Sequence, residues 1–160
     1  MMKHIITALV ENQPGVLARV VGLISGRGFN IETLNVAPTQ DPTCSRMTIK
    51  VPGDDRVLEQ VTKQLNKLVD VITVTDLTQK RYLNREMVLV ELAVTPQEGT
   101  EITEMIKIIS DAKVVSVQDK SLTIQMVGEQ DKINDFLTLL KPFRILDISR
   151  SGVIAVARGE

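Results

Sequence analysis

Tryptophan is absent from the 160 residues, tyrosine occurs once and phenylalanine three times, so Leu, Ile and Val must supply any core. A single cysteine, Cys44, cannot close an intrachain disulfide. With only one histidine beside it there is no zinc-ligand spacing, which argues against a metal site. No run of eighteen apolar residues occurs, and the start Met1-Met2-Lys3-His4-Ile5 lacks a signal-peptide pattern, so a cytoplasmic chain without membrane association is expected. Neither sign of charge dominates: 19 Lys and Arg against 20 Asp and Glu give a net charge of -1. No basic cluster is interleaved with aromatics, which disfavours nucleic-acid binding. What is present is a folded composition, 43% hydrophobic and 24% charged, in a chain long enough for one domain or two small ones.

Hydrophobic periodicity predicts a strand over Ile5 to Val10 and a helix with Leu17, Val20, Val21 and Ile24 on one face, ended by Gly26 and Gly28. Two extended runs follow, Ile31 to Ala37 and Arg46 to Val51, with the turn at Pro38 to Pro42. Asp54-Asp55 reads as a helix start, Leu58, Val61, Leu65 and Leu68 recur at helical spacing, and Val71 to Asp76 reads as a strand. That order is βαββαβ. After a polar stretch it repeats: a strand at Met87 to Val94, a helix marked by Ile102, Met105, Ile106 and Ile109, a hairpin turning at Asp119-Lys120, a helix with Ile133, Phe136, Leu137 and Leu140 stopped by Pro142, and a strand at Ile145 to Ile148, with a further apolar segment, Val153 to Val156, after it. The expected class is α+β, with two ferredoxin-like βαββαβ domains at 1-78 and 85-160 and a linker at 79-84. Both helices of such a unit pack on one sheet face, so the other must be covered or polar. Arg46, Thr48 and Lys50 fit a solvated or partner-facing side.

Chemistry is hard to find. His4 is expected at a frayed strand start with no nucleophile near it in sequence, and Cys44 reads as a half-buried structural thiol. Asp54, Asp55 and Asp131 sit where helices begin, so capping explains them, and Glu101, Glu104 and Lys107 read as a solvated face. Neither G-x-G-x-x-G nor G-K-[ST] occurs, which removes a phosphate cradle. No catalytic constellation can be assembled, and a small enzyme on this scaffold is disfavoured.

One junction has specific capacities. In Glu11-Asn12-Gln13-Pro14-Gly15-Val16-Leu17 the proline presets the backbone, Gly15 admits close approach, and the N–H groups of Gly15, Val16 and Leu17 face a carboxylate with a helix dipole behind them. That dipole contributes only ~0.3–1 kcal/mol when exposed, so more contacts are needed. Asn12 and Asn30 are suited to meet an ammonium group, and Leu17, Ile31 and Val36 to enclose an alkyl side chain. Both asparagines fit equally well as turn residues satisfying local backbone.

That turn, together with Arg19-Val20-Val21-Gly22-Leu23-Ile24-Ser25, Arg27-Gly28-Phe29-Asn30-Ile31-Glu32, Ser45-Arg46-Met47-Thr48, Leu65 to Val71, Arg85-Glu86-Met87, Arg150-Ser151-Gly152-Val153 and Arg158-Gly159, resembles the small regulatory subunits of acetohydroxyacid synthase (acetolactate synthase) over essentially the whole chain. The resemblance implies an N-terminal ACT domain that forms a homodimer and binds valine or another branched-chain amino acid. The implied effector positions are Asn12, Gly15, Asn30 and Ile31, with Asn12 and Asn30 from different protomers, and the amides of the junction add Val16 and Leu17 to the expected site. It also implies a non-catalytic chain without cofactors, acting in branched-chain amino-acid biosynthesis. Thiamine diphosphate, Mg and FAD would belong to the catalytic subunit it activates and subjects to feedback inhibition. Pro14 stands where the family varies and often has a polar residue; it stiffens the turn and removes one N–H donor. A free-standing amino-acid-sensing ACT protein would share this fold.

Overall fold

The computed structural model describes residues 3–159 and divides by packing into two units, 3–83 with 153–159, and 84–152. The first unit opens with β1 (Lys3–Glu11), α1 (Val16–Gly26), β2 (Thr33–Pro38), β3 (Cys44–Pro52), α2 (Asp55–Asn66) and β4 (Val71–Asp76). Its antiparallel sheet has the order β2-β3-β1-β4. The next strand, β5 (Tyr82–Ala93), leads into α3 (Pro96–Ile108), β6 (Ala112–Val117), β7 (Ser121–Gly128), α4 (Gln130–Leu139) and β8 (Arg144–Arg150), ordered β6-β7-β5-β8. A final strand, β9 (Ile154–Ala157), pairs with β5. Both units therefore follow the expected βαββαβ order, each with the strand of its first helix crossover inside the sheet.

Period-two burial makes the first core. Ile6, Ala8 and Val10 of β1 and Met47, Ile49 and Val51 of β3 face Val16, Val20 and Ile24 of α1 and Leu58, Val61 and Leu65 of α2. Each of the Val, Leu, Ile and Met side chains contributes roughly 1.5–3 kcal/mol of transfer free energy on full burial. Asp54 caps α2 by accepting from the Val57 N–H at 3.0 Å, as its position before the helix leads one to expect. The second core repeats the scheme with Val88, Val90 and Leu92 of β5, Leu122, Ile124 and Met126 of β7, and Ile102, Ile106, Ile133, Phe136 and Leu140 from the helical side.

Several expectations need correcting. The buried stripe of α1 is Val16, Val20 and Ile24, four residues apart on one face; Leu17, about 100° round the helix from Val16, is 41% exposed. Strand β5 begins at Tyr82, inside the expected linker 79-84, and packing groups residues 153–159 with the first unit. His4 is not frayed: it is 1% exposed, on the face of β1 that meets the helices, and neither ring nitrogen has a hydrogen-bond partner among the described residues. Asp131 lies in the first turn of α4 but the N-cap is Glu129, without a side-chain cap bond.

The back of the first sheet also differs from expectation. Arg46 is exposed, but Thr48 is 3% exposed and Thr7 beside it equally buried, and Lys50 is only half-buried. The cover comes from the chain's own end. Val153 and Ala155 pack with Ile5, Leu77 and Tyr82, and Asn35 Nδ2 donates to the Val153 carbonyl at 3.0 Å. No described helix is long and apolar enough to cross a membrane, and no cluster of three or more His, Cys, Asp or Glu suited to a metal occurs among the described residues.

Candidate functional site

The junction between β1 and α1 is a type II β-turn. Gly15 has φ 84 and ψ -8, the values required after Pro14, and the Val16 N–H closes the turn on the Gln13 carbonyl at 3.3 Å. Pro14 and Gly15 thus serve one device: the ring presets the first central residue, and the glycine takes the left-handed one. Gly15 is also the N-cap of α1 and supplies no side-chain cap. Since the Arg19 N–H already bonds the Gly15 carbonyl at 3.0 Å, the amides of Leu17 and Ala18 are the open donors of the first turn.

Val16 does not belong to the site's surface. Its side chain is 3% exposed in the core, and its N–H is spent on the turn, so the expected carboxylate contact from this amide is not available. Leu17 is exposed at the helix start, on the side turned away from the core. Asn12 is held by its backbone, whose N–H donates to the Thr43 carbonyl at 2.8 Å, and by its side chain, whose Nδ2 donates to the Pro42 carbonyl at 3.0 Å. The Oδ1 atom has no partner among the described residues and is free to accept from an ammonium group.

Arg19 is the site residue that sequence reading passed over. Its guanidinium pairs with Asp70, Nε to Oδ2 at 2.8 Å and Nη2 to Oδ2 at 2.7 Å, and its Nη1 lies 3.0 Å from where a Cβ on Gly15 would stand. A cation therefore hangs over the uncapped helix start. The signal was present in the spacing, because residues four apart on a helix stack on one face and Arg19 is four after Gly15. Its acidic partner, 51 residues away, was not.

Asn30 and Ile31 lie beyond the other end of α1, whose 11 residues span roughly 16 Å. The Asn30 side chain is exposed without a hydrogen-bond partner among the described residues, while Ile31 is half-buried and packs on the first core. One copy thus brings Asn12, Gly15, Leu17 and Arg19 together and keeps Asn30 and Ile31 apart from them. Cys44 is half-buried, with Sγ 3.7 Å from Asp41 Oδ2. The Asp41 carboxyl is held below its ordinary pKa, first by the Thr43 hydroxyl at 2.7 Å and then by the Thr43 amide at 2.9 Å. These contacts brace the β2-β3 turn on which Asn12 leans.

A four-stranded antiparallel sheet with two helices on one face, and a glycine turn opening the first helix, places the first unit among ACT domains. Residues 6–73 match the family model described as AHAS small subunit-like ACT domain, and residues 85–159 match the model described as small subunit of acetolactate synthase. The chain is 48% identical over 160 residues to the acetolactate synthase small subunit of Haemophilus influenzae, covering 99% of this chain and 98% of that one. It is 42% identical to the isozyme 3 small subunit of Escherichia coli, again with 99% and 98% covered. The crystal structure of the Thermotoga maritima acetolactate synthase small subunit superposes with a TM-score of 0.85 at 32% identity, covering 100% of this chain and 99% of that one. The chain belongs to the acetolactate synthase small-subunit family, whose members are regulatory chains.

Proposed function

We propose that this chain docks on the catalytic subunit of acetolactate synthase, raises its activity, and lowers it again when a branched-chain amino acid, valine first among them, binds the first unit. The chain itself performs no chemistry; thiamine diphosphate, Mg and FAD reside in the catalytic partner. The observation that carries the effector reading is the β1-α1 junction: an uncapped helix start with open amides, a glycine that admits a ligand to the backbone, and the Arg19 guanidinium above it. An α-carboxylate is matched by helix dipole and guanidinium together. Asn12 Oδ1 is left for the ammonium group, and exposed Leu17 for the alkyl chain.

The length of α1 supports a shared site. A free amino acid spans a few ångströms, far less than the helix separating Asn12 from Asn30, so a ligand using both asparagines takes one from each of two paired copies. Regulation then requires two states of the assembly that differ in affinity for the amino acid, with a coupling of typically ~1–3 kcal/mol. Full-length similarity to small subunits favours this reading over a free-standing sensor.

Calorimetric titration with valine, leucine and isoleucine is expected to give heat for at least one, and Asn30→Ala to lose it; unchanged heat in that variant would overturn the shared site. Co-purification with the catalytic subunit, followed by assay with and without the amino acid, tests the regulatory role. A complex whose activity is indifferent to the small subunit would defeat it.

A further inference from the structure

We propose that the C-terminal segment Val153–Ala157 is a strap that carries the state of the effector unit to the second unit. This rests on the effector reading above. The chain leaves the first unit at Leu83, builds the whole second unit, and returns at Val153 as a member of the first. The return is seated, not loose: Val153 is 0% and Ala155 4% exposed, against Ile5 and Leu77. Arg158 N–H donates to the Arg81 carbonyl at 2.9 Å.

Its seat involves the two strands that lead to the two parts of the candidate site. Ile5 lies in β1, which runs directly into the Asn12 to Gly15 turn, and Asn35, bonded to the Val153 carbonyl, lies in β2, which follows Asn30 and Ile31. Between them the buried Thr7 and Thr48 form the same row of the sheet, in register with Asn35. A shift of β1 relative to β2 on ligand binding therefore changes the seat of Val153.

On its other side the strap is one residue from a fixed point. The Ser151 N–H donates to the Met87 carbonyl at 2.9 Å and its hydroxyl accepts from the Met87 N–H at 2.9 Å, tying the end of β8 to β5. Gly152, with φ 78, makes the bend between the fixed point and the strap. The segment is thus a second covalent tie between the units, anchored at both ends with a glycine joint between, and Glu86 and Arg150 stiffen the second unit where it departs.

The test uses the full chain bound to its catalytic subunit. Hydrogen exchange of the Ile154–Ala157 amides is expected to change by several-fold when the amino acid saturates the complex. A chain ending at Gly152 is expected to activate the catalytic subunit and to bind the amino acid, but to lose at least tenfold in inhibitory response. Retained inhibition in the shortened chain, or unchanged exchange in the intact one, overturns the strap while leaving the effector site standing. No amino-acid binding by the intact chain overturns both. If the shortened chain does not fold, the exchange measurement on the intact chain decides alone.

Discussion

The two units repeat one order of elements, yet their first strand-to-helix junctions are built in opposite ways. After β5 the second unit caps its helix: Thr95 Oγ1 accepts from the Glu98 N–H at 3.2 Å, Glu98 Oε1 accepts from the Thr95 N–H at 3.1 Å, and Pro96 opens the helix. This capping box occupies two of the donors an anion would use, the Thr95 and Glu98 amides. After β1 the first unit leaves its helix start without any side-chain cap and sets a guanidinium beside it. The same topology yields a capped junction in the second unit and an uncapped one where a ligand is proposed. Ionic contacts differ in the same sense. The described pairs of the first unit lie at the surface or half-buried, whereas in the second unit Glu86, its side chain fully buried, accepts from Arg150 and from Gln130.

The largest effect is expected where the second unit depends on that buried carboxylate. Arg150→Ala takes away the cation paired with buried Glu86, whose other partner among the described hydrogen bonds is Gln130 at 3.1 Å. A loss of about 3 kcal/mol or more is expected, read as a lower urea midpoint; an unchanged midpoint would show that the pair adds nothing net.

A pair of glycine substitutions sharpens the contrast next. Gly15→Ala forces a left-handed residue and a Cβ 3.0 Å from Arg19 Nη1, costing about 1–2 kcal/mol and removing the amino-acid heat. Gly99→Ala, inside α3 with its nearest neighbour at 3.7 Å, should instead gain about 0.4–1 kcal/mol. Equal melting shifts of the same sign would dissolve the comparison.

Smaller again is the cap itself. Thr95→Ala should cost about 1 kcal/mol, measured by thermal unfolding, and leave amino-acid binding untouched. Least of all, Asp41→Asn removes a carboxylate whose folded pKa is lowered by Thr43. Such a group stabilises the fold above its unfolded pKa and stops doing so as pH falls through the folded one. The variant should therefore differ slightly from the parent at neutral pH and converge with it in acid. Divergence in acid would contradict the assigned cause.

Much of this was legible beforehand. Period-two runs such as Met47-Ile49-Val51 and the helical spacing of Leu58, Val61 and Leu65 carry the element order, since each pattern can bury its apolar face in only one geometry. Pro14-Gly15 announced a tight turn because few residues accept the backbone it needs. The site was legible only in part. The turn at Asn12 and Gly15 could be placed from the residues, but not that Val16 would be buried and Leu17 exposed, since that depends on which side of α1 the sheet takes, and the sheet takes the line of Val16, Val20 and Ile24.

The amino-acid sequence by itself determined two βαββαβ units, their core faces, and a glycine turn before the first helix, all of them consequences of local steric preference and short-range periodicity. Tertiary structure alone decided that His4 is buried, that Arg19 meets Asp70 across 51 residues, that Arg150 meets Glu86 across 64, and that the chain's last segment returns to cover the first sheet. Those outcomes depend on which surfaces remain uncovered once the sheets have formed, and contacts at such separation leave no periodic trace in the order of the residues.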